Sequence, residues 1–135
     1  LARLGVTATS SAGELAVRTG DAPAYDAVLV EVPCSDTGVL ARFPAARWRF
    51  STESQAELTA RQDALLDLAA SRVRSGGRLV YTTASIEPEE NTRRVKLFLE
   101  RHADFALDAE HAALPAERSR TGPMDGGYGA RLVRR

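Results

Sequence analysis

The stretch Tyr25-Asp26-Ala27-Val28-Leu29-Val30-Glu31-Val32 constrains this chain more than any other part of it. It is a nearly continuous apolar run, and Pro33-Cys34-Ser35-Asp36-Thr37-Gly38 stops it abruptly. A strand with one wet face alternates apolar and polar residues. A run without alternation suits a strand buried on both faces, as in a parallel sheet.

Parallel strands need crossovers, and the sequence supplies helical patterns at the right places. Leu58, Gln62, Leu65, Leu66, Ala69 and Val73 recur at i, i+3, i+4 spacing, which predicts a helix over about 54–74. Ser54 to Glu57 reads as its capping box and Gly76-Gly77 as its end. The run 78–83 is the next strand. Pro88 opens a second helix at its first position, with Val95, Phe98, Leu99 and His102 as the buried stripe. Residues 105–109 read as a strand, 114–125 as a polar loop with two prolines, and 127–133 as a closing strand. Near the start, 6–12 is a short strand candidate and 14–24 a loop. The opening Leu1-Ala2-Arg3-Leu4-Gly5 reads like the last turn of a helix, so the parent protein is expected to extend upstream. The whole reads as one α/β domain over 1–135 with a mainly parallel sheet and a C-terminal antiparallel hairpin. Ligands of such sheets bind outside the carboxyl ends of the strands. Those ends here are 12–14, 31–34 and 83–85.

Composition narrows the function classes. Lys+Arg and Asp+Glu both number 18, so the formal charge is zero. A free-standing nucleic-acid-binding domain usually carries a basic excess, and this one does not. Lys96 is the only lysine, so nearly all positive charge is arginine, which offers bidentate donors to phosphate. One cysteine, Cys34, excludes an internal disulfide and a cysteine-based zinc site, and it suits a reducing cytosol. No metal site is expected. No apolar run approaches the ~20 residues of a membrane span.

Several motifs lie in one order along the whole chain. Glu31-Val32-Pro33-Cys34-Ser35-Asp36-Thr37-Gly38 resembles an Asp-Ala-Pro-Cys-Ser-Gly-Thr-Gly motif. The segment 79–85 resembles a strand ending in Thr-Cys-Ser, and Pro88-Glu89-Glu90-Asn91 matches the Pro-Glu-Glu-Asn that follows it. Arg42, Pro44, Trp48, Gln62 and the ending 125–132 fall in register too. Together these resemble the C-terminal part of the catalytic domain of RNA cytosine-C5 methyltransferases of the Sun family. The resemblance implies a partial class I S-adenosylmethionine-dependent methyltransferase sheet, Rossmann-like, with its first strands missing. It implies S-adenosylmethionine as cofactor, RNA (ribosomal RNA) as partner, and a cytoplasmic protein.

The family's chemistry explains the residue types. Carbon 5 of cytosine is a poor nucleophile. A thiolate added at carbon 6 makes it enamine-like and able to attack the methyl sulfonium, which is covalent catalysis. By resemblance, the attacking thiol belongs to Thr-Cys-Ser, and the Pro-Cys thiol assists product release. This chain holds Ala84 at the first position and keeps Cys34 at the second. Glu31 replaces the motif's Asp, and Glu14 stands roughly where an acidic residue meets the cofactor. Asp36 replaces a glycine, and its carboxylate is expected to raise the Cys34 pKa. Nothing resembles the family's Gly-rich cofactor loop.

Each assignment has a plainer rival. Cys34 also reads as a small buried hydrophobe, although its place after Pro33 at a strand end favours a site. Glu31 is expensive to bury unpaired, which favours a polar cleft. Arg42, Phe43, Arg47, Trp48, Arg49 and Phe50 suit phosphate contact and base stacking, or else a hydrophobic anchor with exposed arginines. Glu89 and Glu90 read as first-turn residues that complement a helix dipole. Two functions remain: a methyltransferase-like protein without its attacking thiol, or a degenerate fold kept as an RNA-binding or protein-interaction module. An uncovered sheet edge would favour self-association.

Overall fold

The computed structural model describes residues 25–119 and 122–135. The strand candidate 6–12, the glycine-closed turn 1–5 and Glu14 lie outside them. Strand β1 (Tyr25–Glu31) is followed by two 3-10 helices, Thr37–Val39 and Pro44–Arg49, and then by α1 (Thr52–Ala70). Strand β2 (Val73–Thr83), α2 (Thr92–Arg101) and β3 (Phe105–Ala113) come next. A two-stranded hairpin of β4 (Ala116–Ser119) and β5 (Gly122–Met124) occupies the stretch expected to be plain loop, and β6 (Gly127–Arg134) closes the chain.

The main sheet has the order β1-β2-β6-β3. β1 and β2 are parallel, and β6 is antiparallel to both β2 and β3. Three of the four strands therefore run one way, and β6 slots between two of them in the opposite direction. The fold is α/β, with the last strand forming the expected antiparallel pair.

Three helix boundaries differ from expectation. α1 starts earlier because Ser51, not Ser54, is its N-cap. The Ser51 hydroxyl accepts from the Ser54 amide (3.1 Å) and Ser54 Oγ accepts from the Ser51 amide (2.9 Å), a reciprocal capping box. α1 also ends earlier, at Ala70, since Val73 is fully buried as a strand residue opposite Tyr25. The glycines expected to end the helix instead sit in a bulge of β2, where Gly76 takes a positive φ of 74°. α2 begins at Thr92, so Pro88 lies in the preceding turn and Glu89 and Glu90 precede the helix.

The core forms where α1 and α2 pack together over one face of the sheet. Leu66, Ala69, Val73, Leu79, Tyr81, Val95, Phe98, Phe105, Tyr128 and Leu132 are buried there. The helices cover one face only. Val28 and Val30 of β1 turn toward the core, while Tyr25, Ala27, Leu29 and Glu31 are exposed, Leu29 at 69%. The expectation that β1 is buried on both faces is therefore corrected. An apolar run reports a strand built for two covers, and among the described residues it has one. Among the described strands, β1 lies at the edge of the sheet.

Candidate functional site

Parallel pairing of β1 with β2 sets their carboxyl ends side by side. The ladder extends one step past β1, with the Val32 amide donating to the Thr82 carbonyl at 3.2 Å. The Pro33–Asp36 turn and the Ala84–Glu87 loop then meet at the sheet's end.

Hydroxyl groups tie the two loops together. Ser85 Oγ lies 3.1 Å from Ser35 Oγ and 3.2 Å from Thr37 Oγ1. It also accepts from the Glu87 amide at 3.0 Å, while Thr37 Oγ1 accepts from the Ile86 amide at 3.1 Å. Thr83 Oγ1 donates to Asn91 Oδ1 (2.6 Å), and Asn91 Nδ2 donates to the Ser85 carbonyl (2.8 Å). Gly38 adds a backbone stitch: its amide donates to the Ala84 carbonyl at 2.9 Å, and its carbonyl accepts from the Gly126 amide at 2.7 Å. A Cβ at Gly38 would fall on the Gly126 carbonyl, so only glycine fits there.

Cys34 and Ala84 are brought together within this frame. Cys34 Sγ accepts from the Ala84 amide at 3.3 Å and donates to Asp36 Oδ1 at 3.6 Å. Its pKa is pushed up to about 11. Burial is the largest cause; the Asp36 and Ala84 amides oppose it, and the Asp36 and Glu90 carboxylates reinforce it. Asp36 holds the left-handed conformation that a glycine takes easily, φ 60°, which Asp tolerates better than most residues.

An open cavity of about 790 Å³ lies over this point. Ala84 and Asp36 line it together with Val39, Arg42, Phe43 and Arg49. Cys34 is not among the lining residues; its thiol lies against the Ala84 amide. Arg42 stacks over the Phe43 ring at 5.6 Å and pairs with Asp125. Arg47 and Trp48 stand on the 3-10 helix Pro44–Arg49, and Trp48 is 84% exposed. The aromatic–arginine cluster is thus a surface at the cavity's rim, not a buried anchor.

Glu31 is exposed at the end of β1 and lies outside this cavity and outside a second one between α2 and β3. With Glu14 outside the described residues, Glu31 is the one expected cofactor contact that the structure describes, and it lines neither cavity. Among the described residues there is no group of three or more metal-ligating side chains, and no helix is long and apolar enough to cross a membrane.

Sequence reasoning missed the polar supports. Glu90 is fully buried and accepts from the Ser35 amide (2.9 Å) and Gln62 Nε2 (3.1 Å), so it does not serve as a helix-dipole partner. Gln62, placed on the apolar stripe, also donates to the Pro33 carbonyl at 3.0 Å. The available signal was Gln62 itself, an amide where the stripe calls for a hydrocarbon.

The comparison with known proteins agrees with this arrangement. Residues 1–122 match the family described as 16S rRNA methyltransferase RsmB/F. The chain belongs to that family. A ribosomal RNA small subunit methyltransferase B of Pectobacterium atrosepticum is 44% identical over 87 residues, which are 64% of this chain and 20% of that protein. The protein of that name from Salmonella arizonae is 35% identical over 140 residues, covering 100% of this chain and 33% of its own length. The crystal structure of PH0851 superposes with a TM-score of 0.72 at 31% identity, over 81% of this chain and 26% of that one. The RsmB/F chain described here thus spans a third or less of the length of these relatives, with the sheet end around Cys34 inside the matched region.

Proposed function

We propose that this chain is the target-base portion of an rRNA (cytosine-C5) methyltransferase-like protein whose attacking thiol has been lost. The observation that supports this is the contact between Cys34 and residue 84. The Ala84 amide touches the surviving thiol at 3.3 Å, and Ala84, where the resemblance puts the nucleophile, is one of the residues that line the cavity. A methyl group cannot add to carbon 6 of cytosine. Cys34 does not take its place: it is not among the residues that line the cavity, and burial pushes its pKa up to about 11, whereas covalent attack needs the thiolate. The methyl donor of the family's chemistry is S-adenosylmethionine, and of its expected contacts the structure describes Glu31 alone. A ribosomal RNA substrate would place the protein in the cytoplasm.

The test joins the chain to the cofactor-binding part of a relative and offers RNA with 5-fluorocytosine at the target position. Fluorine replaces the proton whose loss would release the enzyme, so attack followed by methyl transfer to carbon 5 leaves a covalent adduct on a denaturing gel. Wild type is expected to give none and Ala84→Cys to give one. With ordinary RNA, adding Cys34→Ala should make the Ala84→Cys adduct persist, because release is lost. A wild-type adduct that Cys34→Ala abolishes would make Cys34 the nucleophile and defeat the reading.

A second reading, a retained RNA-binding module, draws on the rim. Phe43 (57% exposed) and Trp48 beside Arg42, Arg47 and Arg49 offer ring faces next to guanidinium groups. Base stacking on such rings is worth about 1–3 kcal/mol per base. Trp48 is the only tryptophan, so its fluorescence reports binding directly. Saturable, salt-sensitive quenching by single-stranded RNA is expected, and Trp48→Phe should keep most of the affinity that Trp48→Ala loses. No quenching at low salt would exclude this reading. Among the described residues β1 is an edge strand with Leu29 exposed, which supports self-association as a further property that light scattering would read as a dimer.

A further inference from the structure

Glu90 has no part in the chemistry above, yet it is fully buried in the loop between β2 and α2. A buried carboxylate is costly unless its oxygens are matched. Oε2 is matched twice, by the Ser35 amide and by Gln62 Nε2. Oε1 is buried without any hydrogen-bond partner. Fold stability alone does not favour such a group, since a neutral side chain of the same size would fill the space at less cost.

Its partners say what it holds. The Ser35 amide is the peptide group just after Cys34. The Pro33 carbonyl, just before Cys34, accepts from the same Gln62 Nε2 that reaches Glu90. Both peptide units that flank the thiol are therefore tied to one carboxylate, one directly and one through Gln62. Glu90 is in turn pinned by the Tyr81 hydroxyl, which donates to its backbone carbonyl at 2.6 Å.

We propose that Glu90 is the positioning residue for Cys34: through the Ser35 amide and Gln62 it fixes the thiol between the Ala84 amide and the Asp36 carboxylate, and its carboxylate adds to the negative field that the thiol meets. The proposal rests on the reading of this loop as the target-base site, but its readout is the reactivity of one thiol and does not depend on methyl transfer. The groups facing that thiol are Asp36 on its own turn, Glu90 from the loop before α2, Tyr81 from β2 and the neutral Gln62 from α1. Arg94, paired with Asp63 at 2.6 Å, stands nearby.

Cys34 is the only cysteine, so iodoacetamide labelling of the intact chain reads it alone. Labelling rates are measured from pH 7 to 11.5, together with hydrogen exchange of the Ser35 amide. In Glu90→Gln the amide oxygen still accepts from Ser35 and only the charge is lost. Ser35 should stay protected, and labelling at pH 8 should rise about two- to threefold as one flanking negative charge disappears. In Glu90→Ala the turn is untied, so Ser35 should exchange at least about tenfold faster and labelling should rise further. A Glu90→Gln profile superimposed on wild type overturns the charge assignment, and unchanged Ser35 exchange in Glu90→Ala overturns the positioning. If Glu90→Ala does not fold, Gln62→Met decides the second point: cutting the Pro33 tie must speed labelling, and no change refutes the proposal.

Discussion

Asp36→Asn removes one charge beside Cys34 while leaving the backbone amide that supports the sulfur. Asn adopts positive φ as readily as Asp, so the turn should hold its shape at φ 60°. The Asp36 carboxylate oxygen is 3.6 Å from Sγ. Two unit charges at that distance repel by about 1 kcal/mol with water-like screening and by about 4–5 kcal/mol at the effective screening of a protein surface. The Asp36 side chain is 42% exposed, so the lower figure applies. That corresponds to slightly under one pH unit, or about sevenfold more thiolate at pH 8. Burial, the larger cause, is untouched, so the labelling midpoint should fall from about 11 but stay above that of a free thiol. Labelling rate against pH for the two proteins measures this, with Cys34→Ala as the blank. A midpoint that does not move, in a variant with wild-type near-UV dichroism, would show that burial alone holds the proton and that Asp36 is a bystander.

Gly38→Ala should destabilise by about 1–3 kcal/mol, since its Cβ meets the Gly126 and Ala84 carbonyls and the stitched loops must move apart; urea unfolding would read the loss, and a neutral result would contradict the packing. Acid sensitivity should centre on the seam between α1 and α2. Burial works to raise the Asp67 pKa, but hydrogen bonds from His102 and Arg101 outweigh it and hold that carboxyl below its usual range. A lowered acid contributes stability above its unfolded pKa and loses it as pH falls through the folded value, so Asp67→Asn should flatten the stability profile below about pH 4 without changing its alkaline side. Thermal melts of both proteins between pH 2 and 7 test this, and parallel profiles would count against it.

Much of the fold was legible because it depends on periodicity and punctuation. The stripe of α1, the strand 78–83 and the closing strand follow from spacing alone, and the Pro-Cys turn is where a strand must stop. The misses share one cause: a one-dimensional pattern does not report who the neighbour is. Val73 continues the α1 stripe in phase, yet its packing opposite Tyr25 draws it into β2. The run 25–32 reads as buried on both sides, but α1 and α2 cover one face only. Glu90 looks like a first-turn acid until the Ser35 amide, 55 positions away in sequence, is seen to bind it. The candidates drawn from the sequence, Cys34 and Ala84 for the chemistry, Glu14 and Glu31 for the cofactor and Arg42, Arg47 and Trp48 for RNA, all came from motifs or charge. The supports were not among them, because a serine or a glutamine in a loop carries no signal until its partner is known.

The supports also explain why the loop's shape does not depend on the side chain at residue 84. Residue 84 is held by its backbone: its carbonyl accepts from the Gly38 amide and its amide donates to Cys34. The residues on either side are fixed by Thr83, Ser85 and Asn91. None of these bonds uses the side chain at 84, so exchanging a thiol for a methyl group there leaves the loop's restraints intact. The reverse exchange, Ala84→Cys, should likewise leave them in place. Its sulfur would project from a fixed backbone into a cavity already lined by Ala84. It would still face Asp36, which raises the energy of any thiolate formed nearby. The variant that best restores attack should therefore be the double change Ala84→Cys with Asp36→Gly, the glycine that the family motif carries at that turn. If the double variant forms no more adduct with 5-fluorocytosine RNA than Ala84→Cys alone, then Asp36 does not limit the chemistry, and the charge argument developed for Cys34 does not extend across the cavity to residue 84.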